Sequence, residues 1–229
     1  MKLLALETSA KAASAALFDG NTLLAESYQN AGLTHSRTLL AMVQAMLDNC
    51  SRSAGDVEAV AVASGPGSFT GIRIGVAAAK GFAWGRELPL YGVSTLEAMA
   101  MGLGLMEGLV CPVMDARRDQ VYTALFQAEN GQLTRLMPDC AISLAELGSR
   151  LAPYAPPVTA VGDGAALACQ ALDMLRLPPE HRRMQRASGV GLAAMAAMAR
   201  GEAPDGAIPH YLRLSQAERE RLRRENGKG

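Results

Sequence analysis

The chain has 229 residues, 49% hydrophobic and 19% charged, and this composition excludes a disordered, collagen-like or small disulfide-stapled protein. Its 22 basic and 22 acidic residues balance to a formal net charge of zero, which argues against a domain that binds mainly by neutralising many phosphates. The length allows one large domain or two small ones, and we expect two.

The first part of the chain is predicted to form three strands, then a helix, a strand, a helix, a strand and a helix. Short apolar runs give the strands 2–6, 13–18, 22–28, 57–63 and 90–93, and helical spacing gives the helices 34–50, 72–84 and 94–105. Short turns join the first three strands into an antiparallel meander. The later alternation of strand and helix predicts a parallel continuation of the same sheet.

The second part of the chain begins in the same way. Strands are predicted at 109–114, 120–127, 132–137 and 158–161, and helices after Ser143, over 191–200 and after Ser215. We expect two α/β domains, 1–108 and 109–210, with a terminal helix over about 211–229 that packs back on the first. The halves share strand order but no obvious residue repeat.

The glycine-rich segment 64–75, S-G-P-G-S-F-T-G-I-R-I-G, leaves a buried strand and enters a helix. Phosphate contact at Gly67 and Ser68 is one interpretation, because helix N-termini bind anions. A structural turn is preferred, since the segment matches neither the P-loop nor the G-x-G-x-x-G pattern. The strand end Glu7-Thr8-Ser9 could orient a phosphate, but solvated polar groups are again the simpler interpretation.

Small residues Gly71, Gly75 and Ala79 form a stripe along the helix that follows this loop. Two interior glycines cost a helix roughly 1 kcal/mol each, so a close approach by another element is expected to offset them. The approaching element is either the helix 34–50 or the same helix of a second molecule, and an interface and an ordinary core are weighted equally. For the interface, Gly75→Leu is expected to break partner binding and leave the fold largely intact.

Catalytic motifs are sparse. Three histidines lie outside any zinc-binding spacing, G-x-S-x-G is absent, and the four cysteines form no C-x-x-C pair, so neither a metal site nor acyl transfer is predicted. Arg117 and Arg118 lie between two strands beside Asp115 and Asp119, and pairing within that loop is preferred over phosphate or partner binding. We expect a soluble, cytoplasmic protein, because no stretch reaches about 20 apolar residues and Glu7 interrupts the N-terminal run.

Three blocks together resemble the bacterial TsaB (YeaZ) family. They are residues 4–9, L-A-L-E-T-S; residues 64–75, continuing into A-K-G at 79–81; and residues 115–118, D-A-R-R. The resemblance implies a degenerate two-domain actin-like ATPase fold of ribonuclease H-like type. It also implies a noncatalytic scaffold that binds TsaD, with TsaE, and supports transfer of a threonylcarbamoyl group to adenosine 37 of tRNAs reading ANN codons.

The resemblance further implies an interface formed by the helices from Thr34 and Gly71, used with TsaD or, alone, in a homodimer. Its expected residues are Leu39, Val43, Met46, Gly71, Ile72, Gly75, Val76, Ala79 and Trp84. No metal and no resident cofactor are implied, and a nucleotide is expected only at a shared interface of the complex. Glu7 stands where superfamily ATPases usually carry aspartate, which argues against nucleotide hydrolysis.

Two alternatives stay open. The chain could be a weak ATPase that uses Glu7, Thr8 and the loop 65–71, or a protease of the same superfamily. Direct tRNA binding could involve Arg182, Arg183, Arg186 and the basic tail, and contact with tRNA or a partner could also involve Arg117 and Arg118. The resemblance instead implies that tRNA is met only through the complex.

Overall fold

The structure, a computed structural model, describes residues 1–104 and 107–213. The first part of the chain forms β1 (Lys2–Glu7), β2 (Ala13–Asp19), β3 (Thr22–Gln29), α1 (His35–Asn49), β4 (Ala59–Gly65), α2 (Phe69–Trp84), β5 (Leu90–Ser94) and α3 (Thr95–Gly102). The second part forms β6 (Gly108–Asp115), β7 (Gln120–Glu129), β8 (Gln132–Ser143), α4 (Leu144–Leu151), β9 (Val158–Val161), α5 (Ala165–Ala171), β10 (Leu175–Arg176) and α6 (Ala187–Ala199).

Two five-stranded sheets share one strand order, β3-β2-β1-β4-β5 and β8-β7-β6-β9-β10. In the first, β1 pairs antiparallel with β2 and parallel with β4, so that Leu4 lies between Leu17 and Val60. In the second, β6 likewise pairs antiparallel with β7 and parallel with β9. The predicted meander with a parallel continuation, and its repetition in the second part of the chain, are therefore confirmed.

Helices cover both faces of the first sheet. One face packs against α1 and α2 in a core that includes Leu4, Leu39 and Ile72, and the other packs against α3 and α6. The second sheet buries one face against α4 and α5, while α3 covers its other face through Leu96 and Met99. We call the first sheet with α1, α2 and α6 the first lobe, and the second sheet with α4 and α5 the second lobe; α3 lies between them.

The division of the chain at residue 108 stays a prediction about independent domains. The structure adds that α6, which follows the second sheet in the sequence, packs against β1, β2 and β4 of the first. At the other end, Tyr211–Arg213 are not helical, and the rest of the terminal helix predicted over 211–229 lies outside the described residues.

Side-chain caps explain several helix boundaries. Ser68 Oγ accepts a hydrogen bond from Gly71 N, which starts α2 three residues before the predicted position. Ser143 Oγ accepts from Glu146 N, as the predicted capping pair requires. Thr34 precedes α1 as expected, but its side chain makes no capping bond.

The small-residue stripe of α2 faces the interior of its own chain. A Cβ on Gly71 would lie 2.1 Å from Thr8 O, and one on Gly75 would lie 2.3 Å from Thr8 Oγ1. Thr8 Oγ1 donates a hydrogen bond of 2.7 Å to Gly71 O, and Ala79 is fully buried. The prediction that this stripe makes a close approach to helix 34–50 or to a partner is wrong: the approaching element is the carboxyl end of β1.

This packing yields a matched pair of predictions on α2. Gly75→Ala should lower the free energy of unfolding by about 1–3 kcal/mol, because its new methyl group collides with Thr8. Gly81→Ala should leave it unchanged or raise it by up to about 1 kcal/mol, since a Cβ at Gly81 meets nothing within 4 Å. Urea unfolding of both variants tests this, and equal effects would contradict it. The expectation that Gly75→Leu spares the fold is withdrawn for the same reason.

Candidate functional site

A polar cleft of about 410 Å³ lies between the two lobes. It is lined by Ser9, Ala10, Lys11, Gly67, Ser68, Met114, Asp115, Ala116, Arg117, Tyr122 and Asp163. Most of these residues lie at or just after the carboxyl ends of β1, β4, β6 and β9. Because the sheets share one topology, equivalent strand ends face each other across the cleft, and such ends are the usual ligand positions of α/β folds.

The glycine-rich loop is packed directly on the end of β1. Ser68 N donates a 2.7 Å hydrogen bond to Ser9 O, and a Cβ on Gly67 would lie 2.6 Å from the same oxygen. Thr8 and Ser68 already use their hydroxyl groups to bond within the chain, at Gly71 O and Gly71 N. Ser9 Oγ is buried and has no hydrogen-bond partner among the described residues.

Glu7 lies beneath the cleft and is not part of its lining. Its side chain is 1% exposed, its Oε1 accepts a 2.5 Å hydrogen bond from Ser9 N, and its Oε2 has no partner within the part of the chain that is described. Burial raises the pKa of Glu7 to about 7, and the nearby Asp163 carboxylate acts in the same direction. Burial likewise raises the pKa of the Asp163 carboxyl group.

The predicted phosphate contacts therefore separate into two groups. Ser9, Gly67 and Ser68 line the cleft, whereas Glu7 and Thr8 are buried supports of the loop. Sequence reasoning missed Lys11 and Asp163 as lining residues. The turn Gly162-Asp163-Gly164 after β9 was the available signal, because it occupies the position that the glycine-rich loop occupies after β4.

The turn between β6 and β7 carries two of the predicted arginines at the mouth of the cleft. Arg117, Arg118 and Asp119 all have left-handed backbone angles, with φ of 65°, 57° and 57°, a conformation that costs a non-glycine residue roughly 1–2 kcal/mol. Asp115 Oδ1 accepts a hydrogen bond from Arg117 N, and Asp115 Oδ2 lies 3.6 Å from the Arg117 guanidinium. The preferred interpretation, Asp-Arg pairing within the loop, thus applies to Arg117.

The other predicted arginines lie outside the cleft. Arg182 is exposed in a single helical turn, Glu180–Arg182. Arg183 Nε donates a 2.8 Å hydrogen bond to Pro178 O. The structure therefore separates this pair from Arg117 and Arg118, and no single phosphate-binding cluster unites the four.

The predicted interface residues are mostly internal. In the isolated chain, eight of the nine are buried: Leu39, Val43, Met46, Gly71, Ile72, Gly75, Val76 and Ala79. Within this chain their side chains or Cα faces pack against the first sheet or the end of β1, and their role as direct partner contacts stays a prediction. Trp84, at the end of α2, is the exception and is 83% exposed.

Comparison with known proteins decides the family. A model of the family described as TsaD: tRNA N6-adenosine threonylcarbamoyltransferase matches residues 28–200. The tRNA threonylcarbamoyladenosine biosynthesis protein TsaB of Bacillus subtilis is 34% identical over 226 residues, which cover 95% of this chain and 96% of that protein. The structure of YeaZ from Pseudomonas aeruginosa superposes with a TM-score of 0.76 at 28% identity, over 92% of this chain and 99% of that one. The chain belongs to the TsaB (YeaZ) family.

The fold also agrees with a more distant structure. Component A of (R)-2-hydroxyglutaryl-CoA dehydratase from Acidaminococcus fermentans gives a TM-score of 0.51 at 14% identity, over 86% of this chain and 99% of that one. This likeness concerns the fold alone. Together with the YeaZ match, it confirms the predicted actin-like ATPase fold for this TsaB family member.

The described residues lack a clustered metal-ligand set and a membrane-spanning helix. Within residues 1–104 and 107–213, no three His, Cys, Asp or Glu side chains are grouped so that they could hold a metal ion. None of the helices in the same ranges has the length and apolar character needed to cross a membrane.

The buried Glu7 carboxyl gives the TsaB family member a pH-dependent stability. Since its pKa rises from 4.5 to about 7 on folding, its stabilising contribution is fully present below about pH 4.5 and is lost as the pH rises through 7. The linked change in unfolding free energy is of order 3 kcal/mol. Glu7→Gln, which mimics the protonated carboxyl, should remove this dependence.

Urea unfolding at pH 5 and pH 8 measures the effect. The difference in unfolding free energy between Glu7→Gln and the natural chain should favour the variant more at pH 8 than at pH 5. Glu129→Gln, at an exposed glutamate, should show no such change between the two pH values. A parallel pH dependence in the natural chain and Glu7→Gln would contradict the assignment.

Proposed function

We propose that this chain is a noncatalytic accessory subunit that binds TsaD, with TsaE, and supports threonylcarbamoyl transfer to adenosine 37 of tRNAs reading ANN codons. Family membership supports a role in threonylcarbamoyladenosine biosynthesis. The observation that carries the scaffold role is the 83% exposure of Trp84 on the outer side of the helix pair. Tryptophan is among the residues most enriched at protein interfaces and their energetic centres.

The exposed surface of α1 and α2 carries apolar and small residues among polar side chains such as Arg37, Gln44 and Lys80. Leu40 on α1 is 54% exposed and Leu33, just before α1, is 48% exposed. The exposed residues of the helix pair also include the small residues Ala41, Ala45, Ala77 and Gly81. We call the exposed residues Leu33, Leu40, Ala41, Ala45, Ala77, Gly81 and Trp84 the outer helix face. Its small side chains allow close approach of a second protein, and its three large apolar groups supply contact area.

TsaD is the preferred partner because the matching family model is itself described as that transferase. Related chains present related surfaces, so a face that pairs two copies of this chain can also pair one copy with TsaD. A homodimer would use the same outer helix face on both subunits, since a two-fold interface is isologous. The homodimer and the heterodimer are therefore proposed to compete.

The geometry of the cleft supports an accessory role. Glu7 has the pKa of an effective general base, but it is buried under Ser9 and does not reach the cleft. Thr8 and Ser68 use their hydroxyls to hold α2. A nucleotide at a shared interface of the complex would instead meet Lys11 and Arg117, the two basic residues of the lining.

The alternative is a weak ATPase, in which ATP turnover would depend on the Glu7 carboxyl group. Magnesium-dependent ATP turnover by the isolated chain that Glu7→Ala abolishes would favour this alternative over the scaffold. Contact with tRNA is proposed to be indirect. Binding of tRNA by the isolated chain that is strong at 200 mM salt and lost in Arg182→Ala or Arg118→Ala would contradict that part.

Substitution of the outer helix face tests the scaffold proposal. Trp84→Asp and Leu40→Asp should each weaken binding to TsaD by at least about tenfold, because each places a charge in an apolar interface. Both side chains are exposed in the free chain, so thermal stability should change little. Leu167→Asp, at a 43% exposed leucine on α5 of the second lobe, is the matched control.

Isothermal titration with purified TsaD gives the affinities. Natural affinity in both face variants would show that TsaD binds elsewhere, and no measurable affinity of the natural chain would contradict the scaffold proposal. An equal loss in the Leu167 control would show that the effect is not specific to the outer helix face. Size-exclusion chromatography of the same variants without TsaD reports whether the homodimer uses this face.

A further inference from the structure

We propose that residues 205–213, here called the terminal strap, set the width of the cleft by clamping the β6–β7 turn of the second lobe to the first lobe. The strap follows α6 in the sequence and crosses from the edge of the first sheet to the mouth of the cleft. Its contacts with β5, α2 and the β6–β7 turn join segments far apart in the sequence.

The strap is first fixed along the edge of the first sheet. Asp205 Oδ1 accepts a 2.8 Å hydrogen bond from Gly92 N, and Gly206 N donates a 3.1 Å bond to Leu90 O. Farther along, His210 N donates a 2.7 Å bond to Ser64 O. The strap therefore covers the exposed side of β5 and then the end of β4.

The strap next packs against the glycine-rich loop and the start of α2. A Cβ on Gly65 would lie 2.1 Å from His210 O, so the loop and the strap touch backbone to backbone. The ring of Tyr211 stacks on Phe69 with centroids 4.4 Å apart, and Arg73 Nε donates a 3.2 Å bond to Tyr211 Oη. The Arg73 guanidinium also lies 3.8 Å from the centre of the Phe69 ring. Aromatic and cation–π contacts thus anchor the strap on the first lobe.

The final anchor crosses the cleft to the second lobe. Arg213 Nη1 donates hydrogen bonds of 2.5 Å to Ala116 O and 3.3 Å to Arg117 O. These carbonyls belong to the strained left-handed turn, whose closing bond runs from Ala116 N to Gln120 O. A charged donor on two carbonyls stabilises a turn whose backbone angles are unfavourable in isolation.

The two walls of the cleft are consequently joined by one segment. Gly67 and Ser68 form one wall and touch the strap through their loop, while Ala116 and Arg117 form the other and are held by Arg213. Loss of either anchor should free the turn and allow the walls to separate. The packing of the Tyr211 ring on the first lobe therefore affects the protection of backbone amides in the β6–β7 turn, although the ring does not contact them.

Hydrogen exchange of the full chain, resolved at single amides by NMR, tests the clamp. In Arg213→Ala, exchange at the amides of Ala116, Arg117 and Gln120 should accelerate about tenfold or more, because the turn loses its charged donor. In Tyr211→Ala, exchange at the same amides should also accelerate, although Tyr211 anchors the strap on the first lobe and the amides lie in the second. Arg213→Lys and Tyr211→Phe retain a donor and a ring, and both should stay close to the natural chain.

Arg86→Ala is the matched control. Arg86 also donates to two backbone carbonyls, Ala54 O and Gly55 O, but both lie in the first lobe. It should accelerate exchange near residues 53–57 and leave the β6–β7 turn unchanged.

Two results would overturn the proposal. One is natural exchange at Ala116, Arg117 and Gln120 in Tyr211→Ala, which would show that the anchors are not coupled. The other is acceleration of β4 amides as large as that of the turn in Arg213→Ala, which would mark general unfolding. If Tyr211→Ala does not fold, natural exchange at the three turn amides in Arg213→Ala overturns the proposal.

Discussion

The contact between the carboxyl end of β1 and the glycine face of α2 determines the arrangement of the site. Thr8 donates its hydroxyl to Gly71 O, and the missing side chains at Gly71 and Gly75 leave room for it. This close approach places the glycine-rich loop against Ser9, and the loop forms one wall of the cleft. It also rotates the large side chains of α2, so that Ile72 and Val76 face the core while Trp84 is left in solvent.

Much of the fold could be predicted from the sequence because strand and helix periods differ. The meander, the parallel continuation and the repeated strand order follow from apolar runs, turn residues and helical spacing. Helix α5 and strand β10 were missed, since the alanine-rich Ala165–Ala171 has little polar alternation and Leu175–Arg176 is only two residues long. The position of α6 on the first sheet is a long-range contact, and no local pattern reports it.

The site was predictable in composition but not in orientation. The sequence identified Ser9, Gly67, Ser68 and Arg117, which the fold brings to one cleft. It could not reveal that the stripe around Gly75 faces inward, because a helical stripe of small residues is equally compatible with a strand end, a helix or a second protein. The identity of the covering element depends on tertiary packing, and here a single threonine supplies it.

The two faces of α2 have separate consequences. The inner face joins the loop, the buried Glu7 and the cleft into one packed unit, and the terminal strap extends this unit across the lobes. We propose that the outer helix face, whose large side chains are exposed, binds another protein. On the proposed function, the chain would influence catalysis by its partner through position, with the Thr8 and Ser68 hydroxyls bonded within the chain.

Reconstituted threonylcarbamoyl transfer to tRNA tests the central claim most directly. TsaD, TsaE and the threonylcarbamoyl donor would be assayed with increasing amounts of this chain, and with its Trp84→Asp variant in parallel. The account predicts transfer that depends strictly on the natural chain, saturates as the complex forms, and needs a much higher concentration of the variant. Full transfer in the absence of this chain would contradict the account.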